Sequence, residues 1–266
     1  MNSSAAGDVE LRELHTMAEL DTVCRLYADI WGTGADSPPV SAEVMRALSH
    51  AGNYVAGAYE DGRLVGASVA FYAEPVGTTL HSHITGTAMG RGIGLALKRH
   101  QRDWALARGL KRITWTYDPL IRRNAHFNLV KLGARPEEYL RSFYGAMDDA
   151  INGGDESDRV LTAWDLTAPP GPYPLDLPPD TARGVRDQDG RPLLGPTDAG
   201  TVLIDLPDDI ESLRRTDPGA AHDWRLAVRQ VLGGLLADGA RVAGFHDRRS
   251  YVVHRAHSRT AGATRI

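Results

Sequence analysis

The stretch His81–Gly109, HSHITGTAMGRGIGLALKRHQRDWALARG, constrains the fold more than any other part of the chain. Thr79 to Thr85 reads as a strand. Gly90, Gly92 and Gly94 then remove side chains at alternate positions, and an amphipathic helix follows with Ile93, Leu97, Trp104 and Ala107 on one face and Gly109 as its stop. A glycine-rich turn at a helix N-terminus lets backbone N–H groups converge on an anion, and the helix dipole favours negative charge there. A tight strand-to-helix turn alone would use the same glycines. The spacing is G-x-G-x-G rather than the dinucleotide fingerprint G-x-G-x-x-G, and no Gly-Lys-Ser/Thr follows, so both of those phosphate motifs fail.

The elements around this stretch follow from periodicity and punctuation. Val9 to Leu14 alternates as a first strand after a frayed leader, Met1 to Asp8. Thr16 and Glu19 form a capping-box signature before a helix carrying Leu20, Val23, Tyr27, Ile30 and Trp31, and Ser41 caps a second, shorter helix. Tyr54–Tyr59 and Leu64–Tyr72 flank Asp61-Gly62 as a hairpin. After the central helix come a strand at Arg112–Tyr117, an Asp118-Pro119 turn, a helix from Asn124 to Leu132, a strand or extended segment at Tyr139–Tyr144, a polar loop at Ile151–Arg159 and an extended run at Val160–Leu166. The order is β-α-α-β-β-β-α-β-α-β, and it defines a first domain at residues 1–166. Residues 167–200, rich in proline and leucine, read as an extended connector. Residues 201–255 form a small α/β annex with strands at Thr201–Leu206, Arg241–Phe245 and Tyr251–His254, and a long helix capped by Asp217-Pro218. Residues 256–266 read as a disordered tail.

Composition bounds the partners. The 266 residues carry a formal charge of −4, which argues against a nucleic-acid binder that works by broad phosphate neutralisation. The single cysteine, Cys24, falls on an apolar helix stripe and fits a reducing, cytoplasmic setting. No export signal or membrane span is predicted.

Several side chains carry chemistry. His81 and His83 lie two apart on the strand before the turn and share a side, as a general base would require; hydrogen-bonded core histidines and a metal pair are the other readings. Asn124 reads as an N-cap at a helix start. Asp118 is an anchor for a substrate ammonium or an ordinary turn residue. Asp155, Asp158 and Arg159 bind a polar acceptor or sit in a solvated loop.

The element order, the turn MGRGIG at Met89–Gly94 and NAHFNLVKLG at Asn124–Gly133 resemble the GNAT superfamily of acyl-CoA-dependent N-acyltransferases. The resemblance covers about the first 165 residues, one domain's length. It implies an α/β (α+β) GNAT fold: a mixed, mostly antiparallel twisted sheet flanked by helices. It also implies a cofactor site for acetyl-CoA or another acyl-CoA at Thr85, Met89, Gly90, Arg91, Gly92, Ile93, Gly94, Asn124 and Asn128, and no metal. Met89 stands where the family's turn usually has Gln or Arg. Lys98, Arg99 and Arg102 would meet the adenosine phosphate or form the helix's wet face. His83 or His81 would take the proton of an amine that attacks the thioester directly. Leu129 occupies the place of the tyrosine that usually protonates the leaving thiolate, which leaves Tyr144 or Tyr117 as substitutes. Tyr117, Asp118 and Arg159 would face the acceptor. HSHITG, WTYDPL and NAHFNLVKLGA together resemble a GNAT branch some of whose members accompany N-acylamino-acid racemase or o-succinylbenzoate synthase-like enzymes. That implies a small-molecule amine such as an amino acid as acceptor, and admits succinyl-CoA as donor. The annex would shape the acceptor pocket or a homodimer interface. A degenerate module that binds acyl-CoA or a protein partner without turnover is the alternative.

Overall fold

The structure, a computed structural model, describes residues 9–33, 38–88, 92–145, 155–168, 175 and 177–255. The leader, the tail and the turn residues Met89, Gly90 and Arg91 lie outside the described residues. Two compact units divide the rest: one takes residues 9–115 and 163–168, the other 116–145, 155–162 and the chain from 175 onward. The chain leaves the first unit within one strand, after Trp115, and re-enters it within another, at Ala163.

The first unit has the expected element order. β1 (Glu10–Glu13) leads to α1 (Met17–Trp31) and α2 (Ala42–His50), then come β2 (Tyr54–Glu60), β3 (Arg63–Ala73), β4 (Thr79–Thr87), α3 (Ile93–Ala107) and β5 (Arg112–Tyr117). The capping box forms as read: the Thr16 side chain accepts from the Glu19 amide while Glu19 reaches back to the Thr16 amide at 3.0 Å. Asp61 (φ 50°) and Gly62 (φ 75°) are both left-handed, the turn geometry whose twist matches a hairpin's strands. β1 to β4 pair antiparallel in sequence order, and β4 pairs parallel with β5 because α3 crosses between them. Leu20, Val23 and Tyr27 of α1 and Met45 of α2 cover one sheet face, packing on Val55, Ala67 and Val69. Ile93 and Leu97 of α3 cover the other. α3 sits low because Gly66 lies beneath it: a Cβ there would come within 2.9 Å of Ile93.

In the second unit, α4 (Arg122–His126) runs on through a π-helical turn (Phe127–Lys131) to β6 (Arg135–Leu140), and β7 (Arg159–Asp165) follows. In the first unit the strands follow one another in the order β1-β2-β3-β4-β5, and in the second β7 lies beside β6. A second sheet, β11-β12-β10-β8-β9, is built from β8 (Ala182–Gln188), β9 (Arg191–Leu194), β10 (Thr201–Asp205), β11 (Arg241–His246) and β12 (Ser250–His254). β8 and β9 fall in the stretch read as an extended connector. The missed signal is Asp189-Gly190 (φ 52° and 81°), a hairpin turn inside a proline-rich run. β8 also pairs parallel with β10, which is buried throughout. α5 (Ile210–Thr216) and α6 (Pro218–Val228) follow; Asp217 caps α6, accepting from the Ala220 amide at 2.9 Å. α6 passes through a second π-helical turn (Arg229–Gly233) into α7 (Gly234–Ala237), where one continuous helix was expected. Trp224, fully buried, donates from Nε1 to the Gly190 carbonyl at 3.0 Å. Among the described residues no helix is long and apolar enough to cross a membrane.

Candidate functional site

In the first unit, β4 and β5 pair over three residues only, Thr79–His81 against Arg112–Thr114, and then part. On its other edge β4 is irregular. Ala70 of β3 faces Ser82 and Val69 faces Ile84, so His83 is an extra, unpaired residue of β4. Such a bulge twists the strand and re-aims its side chains. Here it keeps His81 and His83 beside the same residue: their rings lie 5.3 and 5.8 Å from the Phe71 ring. His81 is half-buried with Nδ1 3.1 Å from Thr114 Oγ1, and His83 is exposed. Burial, with His83 and Lys98 nearby, pushes His81 down to about 4. Desolvation pulls His83 below its ordinary value as well. At neutral pH His81 is therefore a neutral imidazole, the form that accepts a proton.

α3 begins directly beyond. Gly92 caps it in the left-handed region (φ 74°), and its carbonyl accepts from the Leu95 and Ala96 amides at 3.0 and 3.1 Å. The Ile93 and Gly94 amides ahead of these have no partner within the helix, and no acidic residue stands in its first turn. Among the described residues nothing lies within 4 Å of a Cβ on Gly94, so none of them crowds this amide. Ile93 turns inward, 2% exposed. Thr85 also turns inward, its hydroxyl 2.8 Å from Ser68 Oγ, which accepts from Gln101 at 3.2 Å.

Lys98 departs from its reading as a phosphate contact or wet-face residue. It is 6% exposed, donates to Ser82 Oγ at 2.8 Å and lies 4.1 Å over the Trp115 ring. Helical spacing already pairs it with buried Gln101 and Ala105; the charge of its side chain concealed that.

The second unit corrects several acceptor-side readings. Asp118 is 4% exposed and its carboxylate is saturated: Arg225 donates at 2.9 Å to each oxygen, Arg214 at 2.5 Å and the Leu120 amide at 2.9 Å. It has no oxygen left for a substrate ammonium. Burial opposes its charge, but Arg225, Arg214 and Arg159 outweigh burial and hold the carboxyl well below the usual range. Tyr117 is buried with its hydroxyl 3.1 Å from that of Tyr251, which donates to the Pro119 carbonyl. Burial raises both phenols. The solvated-loop reading of Asp155–Arg159 also fails. Asp155 bridges Arg214 and Arg225, and Asp158, fully buried, accepts from Arg229 at 2.7 and 2.8 Å and from Tyr139 at 2.7 Å. Glu156 pairs with Arg229 too. Arg159 is 8% exposed, donating to the Asp158 carbonyl at 2.9 Å with its guanidinium 5.6 Å from the Tyr144 ring centre. The arginines that complete this network come from α5, α6 and the π-helical turn, about 60 to 110 residues from their partners along the chain, so local pattern could not reveal them.

Asn124 is the third residue of α4 and not its cap, a position held by Ile121. Asn128 is buried, its carbonyl accepting from the Ala134 amide at 2.9 Å, and Leu129 beside it is 2% exposed. Tyr144 lies in a turn after β6, 43% exposed, its hydroxyl 3.3 Å from Thr116 Oγ1.

No family model and no curated protein matches the sequence. Solved structures do match, among them acetyltransferases. An N-acetyltransferase from Staphylococcus aureus Mu50 aligns with a TM-score of 0.50 at 16% identity, over 60% of this chain and 100% of that one. The acetyltransferase of the GNAT family from Streptococcus pneumoniae aligns at 0.47 and 16% identity, over 59% and 98%. Salmonella typhimurium yncA, solved with its cofactor acetyl-CoA, aligns at 0.48 and 15% identity, over 62% and 98%. The chain thus shares its fold with that N-acetyltransferase from Staphylococcus aureus, a mixed sheet flanked by helices as its element order implied.

Proposed function

We propose that the chain is an acyl-CoA-dependent N-acyltransferase that acts on the amine of a small molecule such as an amino acid. The observation that carries this reading is the parting of β4 from β5 after His81, with the bulge at His83 on one side and the open N-terminal amides of α3 at the end of β4. An extended acyl-CoA fits such a parting: the α3 amides at Ile93 and Gly94 hold its pyrophosphate, and the thioester reaches toward the histidines. The neutral imidazole of His81, or that of His83, takes a proton from the acceptor ammonium. The free amine attacks the thioester carbonyl carbon, the C–S bond breaks with its electron pair going to sulfur, and the nitrogen gives up its second proton to solvent to leave a neutral amide. Leu129 has no proton to give that sulfur, which leaves as a thiolate and takes its proton from solvent. On the acceptor side Tyr117, Asp118 and Arg159, all buried and engaged with neighbours, are withdrawn. Acetyl-CoA is the first donor to test and succinyl-CoA the second. Coenzyme A release over a panel of amino acids and simple amines, with each donor, tests the proposal. Tight binding of both donors with no release on any acceptor would leave a module that binds without turning over, the reading that Leu129 favours.

A further inference from the structure

Lys98 has no role in the mechanism above, yet it occupies a singular place in the first unit. Its ammonium is buried between α3 and the sheet, at the point where β4 and β5 part. It donates to Ser82, the residue between the two histidines, and lies over the face of Trp115, the neighbour of the Thr114 that contacts His81. Gln101 Oε1, one helical turn on, is 3.5 Å away. No carboxylate among the described residues lies within ion-pair distance of it. The elements packed on it offer hydroxyl, amide and indole groups from Ser82 of β4, Gln101 of α3 and Trp115 of β5, and the titratable group that feels its charge is His81. A buried charge without a counter-ion is costly, and burial pushes this ammonium down to about 7. An oxyanion or thiolate formed near it would meet a preorganised cation in a medium that screens weakly.

Resting on the acyltransferase reading, we propose that Lys98 is a positioning residue for acyl transfer: its buried ammonium, anchored to Ser82 and Trp115 where β4 and β5 part, supplies the positive charge against which the thioester's electrons move. The charge acts through the strand it holds. As the amine nitrogen bonds to the carbonyl carbon, negative charge collects first on the carbonyl oxygen and then on the departing sulfur; the histidine already holds the proton of the ammonium, and the nitrogen's second proton leaves to solvent. Lys98 keeps its own proton throughout. The anionic cofactor is also its missing counter-ion: Lys98 lies five residues into α3, about 7.5 Å along the axis from the helix's first amide. Cofactor binding should therefore draw a proton onto Lys98.

Two measurements test this. Coenzyme A is titrated calorimetrically into the wild-type protein at pH 7.5, in buffers of different ionisation enthalpy, and then into Lys98→Met. Wild type is expected to take up a fraction of a proton per cofactor bound, and Lys98→Met none. In turnover, Lys98→Met should lower kcat by about 10- to 100-fold with the acceptor KM within threefold, and should lose the alkaline fall in kcat that wild type shows as the ammonium deprotonates. Lys98→Arg, which keeps the charge, should recover part of kcat. Equal proton uptake in wild type and Lys98→Met, or equal kcat and pH profiles, would overturn the role of Lys98 while leaving the acyltransferase reading intact. Proton uptake confined to wild type, without turnover on any acceptor, would sink the turnover reading but keep the coupling of Lys98 to the cofactor. No binding of coenzyme A would sink both.

Discussion

Asp118→Asn tests the network that replaced the expected substrate anchor. Asn keeps one acceptor oxygen at the Oδ1 position, which can still serve the Leu120 amide and one Arg225 nitrogen. At the Oδ2 position it presents an NH2 group to the nitrogens of Arg225 and Arg214 that now donate there at 2.9 and 2.5 Å. Two charge-assisted hydrogen bonds are lost, at about 1.5 to 3 kcal/mol each, and two buried guanidiniums are left to share Asp155. Removing one partner of a buried ion pair costs about 3 to 5 kcal/mol, and the two routes agree on that range. Urea denaturation at pH 7, followed by far-UV circular dichroism and by the emission of buried Trp224, should show the midpoint falling with the slope unchanged. The pH dependence gives an independent check. A carboxyl held below its unfolded value of about 3.9 stabilises the fold above that pH, and the contribution is lost as pH falls toward the folded value. Wild type should therefore lose stability below about pH 4, and Asp118→Asn should show less of that loss. A variant within about 1 kcal/mol of wild type at pH 7, or one with the same acid dependence, would mean that Asp118 is not a keystone of the second unit.

Three other outcomes are expected. Lys98→Met should stabilise the free protein by about 1 to 3 kcal/mol at pH 7, because it removes an uncompensated buried cation; wild type should recover stability as pH rises from about 7 toward 10, where the unfolded chain still holds the proton. Thermal melts at pH 7 and 9 would check both halves, and a destabilised variant at both values would contradict the desolvation argument. Gly94→Ala should fold like wild type, since its Cβ meets nothing among the described residues, but weaken coenzyme A binding about 10-fold or more by crowding the amides; Gly92→Ala, at φ 74°, should instead cost about 1 to 2 kcal/mol of stability. Unaltered affinity in Gly94→Ala, measured by calorimetry, would move the anion site away from this helix end. His83→Ala and His81→Ala separate the two candidate bases. The one that matters should lower kcat/KM about 100-fold, most strongly below the acceptor's own pKa, where an unassisted ammonium stays protonated. Because His81 titrates near 4, wild type should show no loss of base function from this residue between pH 5 and 8, and an inflection near 6.5 that disappears in His81→Ala would refute its burial.

What the sequence determined by itself was local. The Thr16 capping box, the Asp61-Gly62 turn, the strand-glycine-helix stretch and the alternation of apolar residues rest on interactions within a few positions along the chain, so the element order from Glu10 to Trp115 was legible, and with it the acetyltransferase fold. The pairing of His81 with His83 was legible as a two-residue spacing. That an unpaired bulge at His83 keeps both beside Phe71, and that β4 parts from β5 immediately after His81, required the strand registers. Tertiary structure alone decided the charges. Lys98, Asp118 and Asp158 look like surface residues one at a time, because a single charged side chain pays a large desolvation cost on burial. For Asp118 and Asp158 the cost is met by arginines about 70 to 110 residues away, a separation that no periodicity encodes. For Lys98 it is met by no carboxylate among the described residues, and that imbalance, invisible until β4, α3 and β5 are packed together, is why the stretch that organised the fold also holds a buried cation at the parting of its strands.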